Sequence, residues 1–152
     1  MRIALPVIHM PRRSKSEELL EFEVAFYEKL LRAYPDFVDV LLPLGSAYTR
    51  QRRYDKGLEV DLRLATLRGD DSLTWYNLAC SYSLLNRVDE GLEAMRRAFE
   101  LGYHDVAYLQ KDPDLVNLRR SPKYRQLLES AAVPARSRPQ QAHRHGGAAP
   151  TP

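Results

Sequence analysis

Apolar residues recur along this chain at the three-and-four spacing of helices that turn one face to a core. Leu19, Leu20, Phe22, Val24, Phe26, Tyr27, Leu30 and Leu31 form the first such series and predict a helix over 16–33. Ser16 is placed to cap it and Pro35 to stop it. A second helix is predicted over 38–51, a turn at Arg52-Arg53, and a third helix over 54–67. Gly69-Asp70-Asp71 then breaks the pattern, and Asp71 or Ser72 caps a fourth helix that reaches Leu85. Asn86-Arg87 turns the chain into a fifth helix over 88–101, which Gly102 is placed to end in a left-handed conformation. Beyond it the pattern weakens to a short helix over 105–110 and two capping pairs, Asp112-Pro113 and Ser121-Pro122. The last predicted helix, 122–130, turns Tyr124, Leu127 and Leu128 inward. No stretch of useful length alternates as a strand does. Pro43 conflicts with its surroundings, because a proline inside a helix removes a hydrogen bond and crowds the preceding turn. Either the second helix starts late, near Leu42, or its first turn is distorted.

Two of these helix pairs read alike. Arg53-Tyr54-Asp55-Lys56-Gly57-Leu58-Glu59 returns as Arg87-Val88-Asp89-Glu90-Gly91-Leu92-Glu93, and Leu41, Leu44, Gly45 and Tyr48 return as Trp75, Leu78, Ala79 and Tyr82, at an offset of 34. Small residues (Gly45, Ala79, Gly57, Gly91, Ala98) suit the close approach of paired helices, and the large ones fill the space between stacked pairs. Trp75-x-x-Leu78-Ala79-x-x-Tyr82 followed by Gly91-x-x-x-Met95 and Ala98 resembles the tetratricopeptide repeat, and Leu41-x-x-Leu44-Gly45-x-x-Tyr48 followed by Gly57 resembles it again. Residues 26–35 look like the second helix of an earlier half repeat. The resemblance implies an all-α, right-handed superhelical stack: a short solenoid of antiparallel helix hairpins with a C-terminal capping helix. Its parts are a half repeat at 16–35, repeats at 38–71 and 72–105, and a cap at 106–130. Asp61, where the family prefers an aromatic, and Leu64, where it prefers alanine, imply that the third helix packs at an altered distance. Gly69 and Tyr103 stand where the family usually has proline.

Length and charge add limits. At 152 residues the chain holds one modest domain and two tails. The net charge of +3 comes from the ends: Arg2, Arg12, Arg13, Lys15, Arg136, Arg138 and Arg144 lie in tails that carry no acids, and the middle holds 16 of the 23 basic residues against all 20 acidic ones. A mildly acidic body lacks the basic face of a nucleic-acid-binding domain. Residues 1–15 are expected to be a disordered or loosely attached arm, and 134–152, rich in proline, glycine and alanine, a disordered tail. No run approaches the roughly 20 apolar residues of a membrane span. Met1 to Met10 lacks the cleavage site of a secretory signal, and lone Cys80 excludes an internal disulfide, so a cytoplasmic location is expected.

The resemblance further implies a non-catalytic protein-interaction module, in which the first helices of successive pairs line a concave groove for a peptide or partner helix. Asp39, Leu42, Ser46, Thr49 and Arg50 would line it from one repeat, and Leu73, Tyr76, Asn77, Cys80, Ser83 and Leu84 from the next. Tyr76 and Asn77 suit an extended peptide; equally, Tyr76 can pack on the terminal segments while Asn77 only meets water. Leu42 and Ser46 replace the lysine and asparagine with which some family members clamp a C-terminal carboxylate, which argues against that ligand and for one of apolar or mixed character. Cys80, with no basic helper near in sequence, reads as a packing residue. His143 and His145 are a weak metal signal, and no phosphate-loop, nucleophile-elbow, dinucleotide or zinc-protease motif is present. No cofactor or metal is expected. The alternatives to an adaptor are a self-associating module, with an arm bearing Ile3, Leu5, Val7 and Ile8 that seals a groove, and an accessory subunit of an enzyme complex.

Overall fold

A computed structural model describes residues 14–132. The chain is helical throughout these: α1 (Lys15–Ala33), α2 (Val38–Arg50), α3 (Tyr54–Leu67), α4 (Ser72–Leu84) and α5 (Val88–Glu100). The short helices α6 (Val106–Leu109) and α7 (Val116–Arg119), with one three-ten turn (Pro113–Leu115) between them, lead into α8 (Pro122–Ala132). Each of α1 to α4 packs on the helix that follows it, and the segment after α5 folds back on α4 and α5. This is the architecture of a short tetratricopeptide solenoid with a helical cap.

The helix ends follow local chemistry, with two departures from expectation. The cap of α1 is Ser14, not Ser16. Its hydroxyl accepts from the Glu17 amide and the Glu17 carboxylate accepts from the Ser14 amide at 2.7 Å, a reciprocal box that Ser16 has no glutamate to form. Ser14 and Lys15 therefore belong to the helix and not to the arm; the remainder of the arm and the tail 134–152 lie outside the described residues. The second departure concerns Pro43, which delays nothing: α2 begins at Val38, with the Val40 and Leu41 amides both on the Phe37 carbonyl, and runs through the proline. At the fourth helix the choice falls on Asp71, whose carboxylate accepts from the amides of Leu73 and Thr74.

The repeated arginine of the motif acts at the turn. The Arg53 amide donates to the Tyr48 carbonyl and the Arg87 amide to the Tyr82 carbonyl, both at 2.9 Å. Each guanidinium lies over the ring of the same tyrosine, 4.7 and 4.8 Å from its centroid, a favourable cation–π placement. The preceding residues, Arg52 and Asn86, take φ of 59° and 57°, so both hairpins reverse on a left-handed residue. Gly102, at φ 98°, ends α5 as its position required.

Two apolar clusters hold the stack. Val24, Leu41, Leu44, Tyr48, Val60 and Leu64 join α1, α2 and α3. A larger one joins Leu58, Leu78, Ala79, Met95 and Ala98 to Leu109, Leu115, Leu118 and Tyr124 of the capping segment. Among the described residues nothing covers the outer face of α1, with Leu19 at 59% exposure, Phe22 at 67% and Phe26 at 48%.

Candidate functional site

The first helices of the two repeats, α2 and α4, bring their polar-facing residues to one cleft of roughly 210 Å³. Leu42, Ser46 and Thr49 come from α2; Tyr76, Asn77, Cys80 and Leu84 come from α4. Seven of the residues expected in a groove thus meet. Four others do not: Asp39, Arg50, Leu73 and Ser83 lie outside the cleft. Arg50 turns toward α1, where its guanidinium donates to the Glu23 carboxylate at 2.7 Å. Leu73 is half exposed, one turn too early on α4 to reach the cleft. Ser83 lies on the Tyr76 side of α4 and is fully buried under the capping segment, where Asn117 donates to its carbonyl; its hydroxyl has no partner among the described residues.

Tyr76 packs on the terminal segment. Its ring stacks on Tyr103, 4.6 Å between centroids and 4° from parallel, and it is only 6% exposed. Its hydroxyl donates to the carboxylate of Asp112, which caps the three-ten turn. Burial, the neighbouring Cys80 and the Asp112 contact hold the phenol protonated far beyond its ordinary range. The Cys80 thiol donates to the same carboxylate at 3.5 Å, and burial pushes its pKa well up, so it is a poor nucleophile.

The sequence pattern does not indicate the cleft's acids. Asp61 arrives from α3, and Asp112 and Asp114 from the capping segment. Asp61 is 8% exposed and accepts a hydrogen bond from the Ser81 hydroxyl of α4 at 2.5 Å. Burial raises its pKa to about 6, and the Ser81 bond offsets part of that rise. A short polar side chain at this point leaves room for the opposing backbone, since a Cβ on Gly45 would stand 3.4 Å from the Asp61 Oδ1. Burial, then the nearby Asp112, raises the pKa of Asp114 as well. The only sequence signal for Asp61 is its departure from the aromatic of the repeat pattern; Asp112 and Asp114 read as helix-start residues, and only the folding back of the cap carries them to α4.

A second hollow, about 630 Å³, lies on the opposite side between α3, α4 and α5, floored by Leu62, Trp75, Leu78 and Ala94. Its acidic rim is already neutralised in part: Glu90 pairs with Arg87, Glu93 with Arg96, and Asp89 with Lys123. Among the described residues no group of histidine, cysteine and acidic side chains is arranged to hold a metal ion, and no helix is long and apolar enough to cross a membrane.

Comparison with known proteins agrees with this architecture. Residues 73–101, which span α4 and α5, match the tetratricopeptide repeat family. The chain is also similar to a chloroplastic protein of Arabidopsis thaliana, 35% identical over 91 residues, covering 56% of this chain and 26% of that protein. The chain thus spans about a quarter of that relative's length.

Proposed function

We propose that this chain, a tetratricopeptide repeat protein by its α4–α5 unit, is a non-catalytic interaction module that docks a segment of a partner protein on its concave face. The observation that carries this is the convergence of α2 and α4, one repeat apart, on a single open cleft with exposed Ser46 and part-exposed Leu42, Asn77 and Leu84 at its mouth. A solenoid of this kind presents successive first helices as a continuous surface, and function is read from that surface. The protonated, buried Cys80 and Tyr76 support a binding role over a chemical one. The reading includes a reducing, cytoplasmic setting, supported by a lone buried cysteine.

The test is affinity capture with mass spectrometry, comparing the unaltered chain with Ser46→Trp. Ser46 is exposed, so the substitution fills the cleft without touching the core. Partners retained by the first and lost by the second are the expected result. An identical set of partners from both would show that the concave face is not the docking surface.

The face of α1 that the described residues leave bare favours a second reading, self-association. Leu19, Phe22 and Phe26 form one stripe, with Phe22 and Phe26 stacked at 6.4 Å. A stripe of this kind marks an interface. Light scattering at high concentration should then give twice the monomer mass, and Phe22→Glu should return it to monomer; a monomer throughout removes this reading.

A further inference from the structure

We propose that the concave cleft is a receptacle for an arginine side chain of the partner segment, with Asp61 and Asp114 as counter-ions to its guanidinium. The inference rests on the concave face being the docking surface, and it names the chemistry of what docks there.

Three carboxylates line the cleft, and no lysine, arginine or histidine does. Arg119 lies outside the cleft and donates to the main-chain carbonyls of Leu109 and Asp112, and among the described residues it forms no ion pair with the carboxylates. The three acids differ in what they already hold. Asp112 is satisfied within the fold: one oxygen takes the Asp114 amide at 2.9 Å, and the other takes the Tyr76 hydroxyl and the Cys80 thiol. Asp61 is not. Its Oδ2 accepts from Ser81, while its Oδ1 has no donor among the described residues, although the residue is 8% exposed and lines the cleft. The Asp114 carboxylate, at intermediate exposure, likewise has no donor among them. A buried carboxylate with one hydroxyl for company is costly, and an arriving cation relieves that cost. Burial lifts the pKa of both, as expected of carboxylates without a counter-ion.

The remaining walls select arginine. Its planar fork bonds two acceptors at once and stacks on aromatic faces. The half-exposed Tyr108 supplies such a ring, and Leu42 and Leu84 offer apolar surface for the methylene stem. A phosphate or a C-terminal carboxylate, by contrast, meets only like charge here.

The experiment titrates the full chain with an acetylated, amidated alanine pentapeptide carrying one central arginine. Its counterpart carries citrulline, of the same shape without charge. NMR would follow the Asn77 side-chain amide and the methyls of Leu42 and Leu84. The arginine peptide should shift these resonances and bind about tenfold tighter than the citrulline peptide, with the difference shrinking as salt is added. Asp61→Asn should remove most of that preference while the protein stays folded, because the substitution relieves a buried charge. Equal shifts from both peptides, or an arginine preference untouched by Asp61→Asn, overturn the inference. In either case partners that Ser46→Trp still displaces would leave the docking surface standing, so the two failures are distinguishable.

Discussion

Asp61 makes the fold's stability depend on pH. Its carboxyl titrates near 6 in the folded chain against an ordinary value of 3.8, so between those limits the folded state holds more protons than the unfolded one. Stability contributed through this residue is therefore full at low pH and is lost as pH rises through 6. Asp61→Asn keeps an acceptor for Ser81 and removes the charge. Near pH 7.5 it should be more stable than the parent by about 2–3 kcal/mol, since each tenfold difference in proton affinity corresponds to roughly 1.4 kcal/mol, and near pH 4 the two should converge. Urea midpoints at the two pH values measure it. The glycines of the repeated motif make a second residue-scale prediction. A Cβ on Gly57 meets its nearest atom, Thr49 Oγ1, at an ordinary 3.5 Å, whereas one on Gly91 meets Leu118 at 2.9 Å and Tyr82 at 3.3 Å. Gly57→Ala should stabilise by up to about 1 kcal/mol, the helix-propensity gain. Gly91→Ala should destabilise by about 1–2 kcal/mol, because Leu118 is fully buried and has nowhere to turn. Thermal melts of the two variants should move in opposite directions. Identical positions in the repeat thus behave differently, because a capping helix lies over only one of them.

At the level of elements, most boundaries follow from the chain itself. Turns at Arg52 and Asn86, the stop at Gly102 and the Asp112 cap before Pro113 need only neighbouring residues to form, and α3 spans the residues its pattern predicts. The cap of α1 falls on Ser14 because two serines compete there, and the glutamate three places after Ser14 decides between them. Pro43 shows the opposite case. Local rules call for a late start or a distorted first turn, yet Val40 and Leu41, before the proline, are buried in the core and hold the first turn helical. The proline's cost is thus borne by packing. Pro43→Ala should restore an amide donor to the Asp39 carbonyl and raise stability by about 1–3 kcal/mol, measured by denaturant unfolding.

On the scale of the whole molecule, the described residues close the stack at one end and leave it bare at the other. The capping segment supplies Leu109, Leu115, Leu118 and Tyr124 to the larger cluster, all but Tyr124 fully buried. α1 contributes one buried residue, Val24. Truncation after residue 103 should therefore abolish cooperative thermal unfolding, because α4 and α5 lose the side chains that cover Tyr76 and Met95. Removal of 14–37 should lower the melting temperature and leave a cooperative transition. Circular dichroism melts of the two truncations test this asymmetry, and equal behaviour would contradict it.

The period of 34, the small residues that let paired helices approach and the turn chemistry are all properties of neighbours along the chain. They determined a helical repeat stack and the placing of Leu42, Ser46 and Asn77 on one surface. The character of that surface was decided elsewhere. Asp61 belongs to the second helix of its pair, whereas the groove was expected from the first helices, and Asp112 and Asp114, the acids of the cap, lie well beyond the groove helices in sequence. Asp112 and Asp114 reach the cleft only because the cap folds back to cover Tyr76, and that contact, made for burial, brings their carboxylates with it. A periodic pattern records which face of each helix is buried. Only the packing of distant segments fixes which charges meet across the space between them.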